Sequence, residues 1–261
     1  MNYSIRDNLI YSIDFTNIDK KTVKIAGFDS DHTLIRPKNN KVFPKSKKDI
    51  ELLFPDLIDL LNNLIIDKYL IIIFSNQSDL NNKEDKKDIV LSRIDYLYSL
   101  FPKFNIIMAT KQDNYRKPNT GMWDFVERKL NKRNIKIDKK NSFYVGDAAG
   151  RLKINKLKKD FACSDRMFAL NVKINFFTPE TYFRGTDSRE LNKNYICVNR
   201  AEELFKFSQS QLKLNSEKIE KIKKFNIIIL IGPPASGKSE FSNKLTNYNI
   251  INQDNLKTKT N

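Results

Sequence analysis

Short apolar runs recur along this chain between longer amphipathic stretches, and each run stops beside a residue able to do chemistry. Val23–Phe28, Tyr69–Phe74, Phe104–Ala109 and Ser142–Val145 read as strands. They are apolar on both faces, which fits strands covered by helices on each side. Asp49–Asp67, with Leu52, Leu53, Leu57, Leu60, Leu61 and Leu64 at helical spacing, reads as a helix, as do Ile89–Leu100 and Met122–Asn131. Met167–Val172 reads as a fifth strand. Strands and helices in alternation predict an α/β fold with a doubly wound parallel sheet, Rossmann-type in its winding. Open sheets of this kind bind ligands beyond the carboxyl ends of their strands.

The chemistry-bearing residues fall at those ends. The first strand runs into Gly27-Phe28-Asp29-Ser30-Asp31-His32-Thr33-Leu34. Side chains alternate along extended backbone, so Asp29 and Asp31 lean to the same side. One can attack phosphorus while the other gives and takes a proton. Between them they can hold Mg²⁺, which prefers oxygen ligands. Ser75 closes the second strand and offers a hydroxyl to a phosphoryl oxygen. Lys117 follows the third and can neutralise phosphate charge. Asp147, after Gly146, follows the fourth and suits a Mg²⁺ ligand. Each alone has a plainer reading: a turn cap at Asp31 and Thr33, a helix cap at Ser75, a surface lysine, a turn aspartate. Their consecutive order at strand ends outweighs those readings.

Composition narrows the chemistry. His32 is the sole histidine, which excludes a Ser-His-Asp triad, a multi-histidine zinc site and an HExxH helix. Catalysis must rest on carboxylates, lysines, hydroxyls and a hard metal. The chain of 261 residues is 40% hydrophobic, enough for a core, and carries a formal charge of +16. That excess favours a polyanion such as nucleic acid, against the plainer reading of a solvated lysine-rich surface. Arg116, Arg151, Lys153, Lys156, Lys158 and Lys159 cluster around two of the site loops and are expected to contact strand phosphates. Cys163 and Cys197 have no metal spacing and read as reduced thiols. No apolar run reaches the length of a membrane span and no signal peptide is evident, so a soluble, intracellular protein with no membrane partner is expected.

The order Asp-x-Asp-x-Thr, Ser, Lys, Gly-Asp resembles the haloacid dehalogenase superfamily of phosphotransferases. The resemblance implies that Asp29 is the nucleophile and Asp31 the general acid/base. It implies a Mg²⁺ held by Asp29, the backbone carbonyl of Asp31, and Asp147. His32 stands where that family usually has Gly, and Ser75 where many members have Thr. A positive φ at position 32 would cost a histidine backbone freedom. Further segments are similar to the phosphatase domain of the polynucleotide kinase 3′-phosphatase family. They include Ala26–Asp29, Lys41-Val42-Phe43-Pro44, Phe74-Ser75-Asn76-Gln77, Tyr115–Trp123, Val145–Arg151 and Lys159–Asn171. This implies removal of a 3′-phosphate from DNA strand ends in end repair, beside a repair polymerase or ligase. Asn76, Arg116 and Arg151 are the expected substrate contacts. Trp123, at a helix start, is expected to pack rather than stack on a base, and Asp165 to form a salt bridge with Arg166 or a lysine.

A second motif opens further along. Gly232-Pro233-Pro234-Ala235-Ser236-Gly237-Lys238-Ser239 fits G-x-x-x-x-G-K-[ST], after an apolar run Asn226–Ile231 that reads as a strand and before a helix, Ser239–Leu245. Gly232, Ser236, Gly237, Lys238 and Ser239 are the expected nucleotide contacts, with backbone N–H groups around phosphates and Ser239 on Mg²⁺. In the resembled family a 5′-hydroxyl kinase begins this way, and Asp254 in Asn252-Gln253-Asp254 would be its base. The expected organisation is a phosphatase domain over 1–200, a charged linker over 201–224, and the start of a P-loop α/β domain over 225–261. The chain ends at Asn261, before the further strands and lid arginines that a kinase needs. No kinase activity is expected of it as it stands, and ATP would bind only in a completed domain. Two other readings stand beside the 3′-phosphatase: a small-molecule phosphatase of the same superfamily, and a non-catalytic DNA-end binding module.

Overall fold

The computed structural model describes residues 1–38, 49–77, 80, 84–153, 158–186, 222, 224–232, 237–243, 245 and 247–251. The chain divides into two compact units, Met1–Ala201 and Glu202–Asn261. The first is built on one sheet. Its strands are β1 (Ser4–Arg6), β2 (Leu9–Ser12), β3 (Thr22–Phe28), β6 (Tyr69–Asn76), β7 (Asn105–Ala109), β8 (Lys136–Ile137), β9 (Phe143–Val145) and β10 (Asn175–Phe177). Two short strands, β4 (Ile35–Pro37) and β5 (Ile50–Leu52), pair antiparallel apart from it. The helices are α1 (Leu57–Ile66), α2 (Glu84–Leu100), α3 (Gly121–Asn131), α4 (Ser164–Val172) and α5 (Pro179–Arg184).

The sheet order is β1-β2-β7-β6-β3-β9-β10, with β8 also pairing β3. The strands from β7 to β10 are parallel, and the winding reverses at β3, between β6 and β9. That reversal is the switch point where such sheets leave a crevice. The α/β class and the parallel sheet therefore match expectation. The edge beyond β7 does not: β2 pairs antiparallel with β7, and β1 with β2, which makes the sheet mixed.

Alternation along each strand feeds two cores. Ala26, Phe28, Ile71, Ile73, Ile106 and Met108 face α1 and α2, joining Leu57, Leu61, Val90, Ile94 and Leu97. Ile25, Ile72, Phe74, Ile107 and Tyr144 face α3 and α4, joining Met122, Trp123, Val126, Phe168 and Val172. Trp123 is fully buried and stacks on Phe74 at 5.9 Å between ring centroids, the packing role expected of it.

Three expected elements are corrected. Met167–Val172 belongs to a helix, α4, not a strand. Phe168, Ala169 and Val172 lie on its buried face, and short apolar runs do not separate helix from strand by themselves. The fifth parallel strand is β10, reached through Lys173 in the left-handed region at φ 63°. The helix expected from Asp49 begins only at Leu57, because Ile50–Leu52 pairs with β4 and Pro55 forbids helix through Phe54. Asn226–Ile231 forms no strand: no described residue pairs with it, and Ile227, Ile229 and Ile231 are 80%, 78% and 93% exposed. An extended segment without a ladder partner or a covered face is not a stable strand.

In the second unit, α6 (Lys238–Asn243) follows Gly237, whose φ is 82°. Lys238 donates from Nζ to the Gly232 carbonyl at 2.8 Å. Ser236, Asp254, most of the expected linker, Cys197, Lys156 and the Lys41–Pro44 segment lie outside the described residues. No helix among the described residues is long and apolar enough to cross a membrane.

Candidate active site

Four strand ends converge at the switch point. Asp29 follows β3, its amide donating to the Val145 carbonyl at 2.9 Å. Ser75 and Asn76 close β6, Lys117 lies between β7 and α3, and Asp147 follows β9. With Asp31, His32 and Arg116 they line a cleft of about 830 Å³.

Lys117 is the hub. Its Nζ is buried and donates at 2.7 Å to each of Asp29 Oδ1, the Tyr144 hydroxyl and Asp165 Oδ1. Those three bonds use every proton of the ammonium and fix its position. The Tyr144 hydroxyl in turn donates to the Phe74 carbonyl at 3.1 Å. Asp165 Oδ2 accepts the Ala148 amide at 3.0 Å, tying α4 to the loop that carries Asp147. Asp165 thus pairs with a lysine, and Arg166 instead donates to the Ala149 carbonyl at 3.0 Å. Two glycines permit the approach. A Cβ at Gly27 would stand 2.7 Å from the Tyr144 ring, and one at Gly146 would stand 2.5 Å from the Asp165 carboxyl carbon.

Charge in this cluster does not balance. Carboxylate oxygens of Asp29, Asp147 and Asp165 all lie within 4.8 Å of one another, and one ammonium faces them. Burial pushes the Asp29 carboxyl up to about 7, with Lys117 opposing and Asp165 adding to the rise. Burial, then Asp165 and Asp29, also raise Asp147 well above the usual carboxylate range. Burial pulls Lys117 down, but Asp165 and Asp29 outweigh it and hold the ammonium above its usual value. An excess of buried carboxylate oxygen is a donor set that fits a hard divalent cation such as Mg²⁺.

A pH dependence follows from the signs. With raised pKa values, the folded metal-free protein keeps protons that the unfolded chain releases. Stability from Asp29 is therefore full below the unfolded carboxylate pKa, about 3.9, and is lost as pH rises through about 7, and the raised Asp147 acts in the same direction. Mg²⁺ needs the ionised form. Its stabilisation, read as a rise in Tm, is expected to be larger at about pH 8 than at about pH 5. Equal shifts at the two values would mean that the cation binds elsewhere.

The remaining expected residues separate. Asp31 faces the cleft, but its oxygens are held by Gln77 Nε2 at 2.8 Å and Arg93 Nη1 at 2.9 Å. Gln77 also donates to the Ser75 hydroxyl at 2.9 Å. Asn76 lines the cleft yet spends its amide on Lys117: Nδ2 donates to the Lys117 carbonyl at 3.0 Å, and Oδ1 accepts its amide at 2.9 Å. It positions Lys117. Arg151 is corrected as a substrate contact. It is 3% exposed, outside the cleft lining, and is held by Asp160, Glu180 and the Asp147 carbonyl. His32 is exposed at the cleft with φ 58°, the left-handed backbone that favours glycine. Gln77, Arg93 and Tyr144 escaped residue-by-residue reading. Gln77 lies inside a recognisable segment, whereas Arg93 sits mid-helix with no local signal.

Comparison with known proteins adds to this geometry. A family model described as polynucleotide kinase 3 phosphatase matches residues 24–183. A bifunctional polynucleotide phosphatase/kinase of Schizosaccharomyces pombe is 33% identical over 268 residues, covering 99% of this chain and 60% of that protein. A polynucleotide 3′-phosphatase of Saccharomyces cerevisiae is 30% identical over 222 residues, covering 64% of this chain and 90% of that protein. Polynucleotide 3′-phosphatase ZDP of Arabidopsis thaliana is 33% identical over 175 residues, covering 61% of this chain and 24% of that protein. The chain thus spans 60% of the length of the bifunctional relative.

Proposed function

Because the chain belongs to the polynucleotide kinase 3 phosphatase family, we propose that it removes the terminal phosphate from a 3′-phosphorylated DNA end. The observation that carries this reading is the pairing of Asp29, braced by a buried ammonium, with Asp31 facing the same cleft. An Asp29 oxygen attacks phosphorus as the P–O3′ bond breaks. The electron pair goes to the 3′ oxygen, which takes a proton from Asp31 and leaves as the hydroxyl. Water then attacks the aspartyl-phosphate, giving its proton to Asp31, and the bond between phosphorus and Asp29 breaks to release inorganic phosphate.

Arg93 and Gln77 fix the Asp31 carboxyl at the cleft, where it gives up its proton in the first step and regains one from water in the second. Lys117 holds Asp29 and counters phosphate charge, while Ser75 and the neighbouring backbone face the phosphoryl oxygens. Asp29 and Asp147, with the Asp31 carbonyl, would hold Mg²⁺, which supplies charge neutralisation for the transferring phosphoryl group. Asp165, with both oxygens engaged, keeps Lys117 and the Asp147 loop in place.

Phosphate release should be followed from a 3′-phosphorylated oligonucleotide beside small phosphate esters, with Mg²⁺ and with chelator. Preference for the oligonucleotide, lost in chelator, is the expected result. Preference for the small esters would place the chain with small-molecule phosphatases. No release from either would leave a binding module.

A further inference from the structure

A second cavity, about 500 Å³, opens between the β1–β2 edge and α3. Arg6 stands at its β1 side, Arg128 and Lys129 come from α3, and Lys132 and Arg133 follow that helix. Five cations and one carboxylate, Asp14, line it; Arg6 is paired outside the lining with Asp7 at 3.8 Å, and Asp14 is itself occupied by the Thr16 amide at 2.8 Å and the Thr16 hydroxyl at 2.6 Å. Two of the cations are held in place. Arg133 donates to the Thr16 carbonyl at 3.2 Å, and Lys129 lies over the Tyr11 and Phe125 rings at 4.9 and 5.2 Å. Arg128 and Lys132 make no salt bridge among the described residues, and both are exposed.

The cavity and the candidate active-site cleft share no lining residue but are lined by chain neighbours. Tyr115 lines the first, and its neighbours Arg116 and Lys117 line the second. From the start of α3, beside the cleft, its 11 residues run about 16 Å toward Arg133. At about 3.4 Å per nucleotide, for a strand stacked as in B-form DNA, this spans roughly five steps. We propose that this groove receives the backbone phosphates of the DNA strand upstream of the 3′ end bound in the cleft. The inference rests on the 3′-phosphatase reading for its direction. Its charge, its lining by chain neighbours of the cleft and its length are independent of that reading.

The test uses the full chain, an Arg128→Gln/Lys132→Gln variant, and a control that loses equal charge elsewhere, Lys68→Gln/Lys103→Gln. Binding of a DNA strand of about twelve nucleotides is measured by fluorescence anisotropy between about 50 and 200 mM salt. Hydrolysis is measured on that strand and on a dinucleotide, both 3′-phosphorylated. The groove variant is expected to bind the long strand roughly tenfold more weakly at the lower salt, with a salt slope shallower by about 1.4 from two lost phosphate contacts. Its KM should rise on the long strand and stay unchanged on the dinucleotide. Binding by the groove variant equal to that of the chain or of the control pair overturns the proposal. Failure of the unaltered chain to hydrolyse either substrate, with groove-dependent binding intact, overturns the phosphatase reading and supports the groove.

Discussion

Asp29→Asn is expected to lower phosphate release from a 3′-phosphorylated oligonucleotide by about 10⁴-fold or more while leaving the fold intact. The amide keeps the size of the carboxyl and can still accept from Lys117, so the buried network retains its geometry. What it loses is the proposed nucleophile, and no neighbour replaces it: Asp31 has its two oxygens on Arg93 and Gln77, and Asp165 spends both oxygens on Lys117 and the Ala148 amide. The same substitution removes a buried charge whose ionisation burial disfavours. Metal-free Tm at about pH 8 should therefore stay equal or rise. Stabilisation by Mg²⁺ should shrink. Release within tenfold of the unaltered chain would place the nucleophile elsewhere.

Lys117→Met is expected to be the most damaging single change to stability. It removes the cation among three clustered carboxylates, and breaking a buried ion pair by deleting one partner costs about 3–5 kcal/mol. The loss should appear as a lower denaturation midpoint in urea at unchanged m. Adding Asp165→Asn to Lys117→Met removes one of the orphaned charges, so the double variant should recover part of that stability. Activity should not recover, because neither substitution restores a cation beside the transferring phosphoryl group. A double variant no more stable than Lys117→Met alone would show that Lys117 and Asp165 are uncoupled, against the 2.7 Å bond between them. An active Lys117→Met would deny the lysine any part in the chemistry.

Both results turn on contacts of very different sequence range. Asp29, Ser75, Lys117 and Asp147 could be picked out because each sits where a local apolar run stops, and parallel winding brings all such stops to one edge of the sheet. Trp123 could be assigned to the core for a similar reason, from its place at the start of an amphipathic helix. Met167–Val172 misled because a run of that length is compatible with strand or helix, and packing of Phe168 and Val172 against the sheet decided between them. Asn226–Ile231 misled in the other direction, since a run suited to a strand finds no ladder partner among the described residues.

Arg151 shows the limit for charged residues. A basic side chain beside a site loop suggests a phosphate contact, yet Asp160 and Glu180 draw it inward. Nothing local to Arg151 announces Glu180, which lies 29 residues on. Arg93 is the converse case, a helical arginine 62 residues from Asp31 that reaches the site only because α2 packs on the same face of the sheet.

The α/β class, the order of the strand-end residues and the kind of chemistry open to a chain with one histidine are all legible along the chain. These depend on local periodicity and residue type. Which groups the clustered carboxylates lean on is legible only in the tertiary structure. The partners of Lys117 lie 27, 48 and 88 residues away, on β9, on α4 and just after β3. A hydrogen bond is set by distance and direction in space, and only the winding of the sheet brings Asp29, Tyr144 and Asp165 within reach of one ammonium.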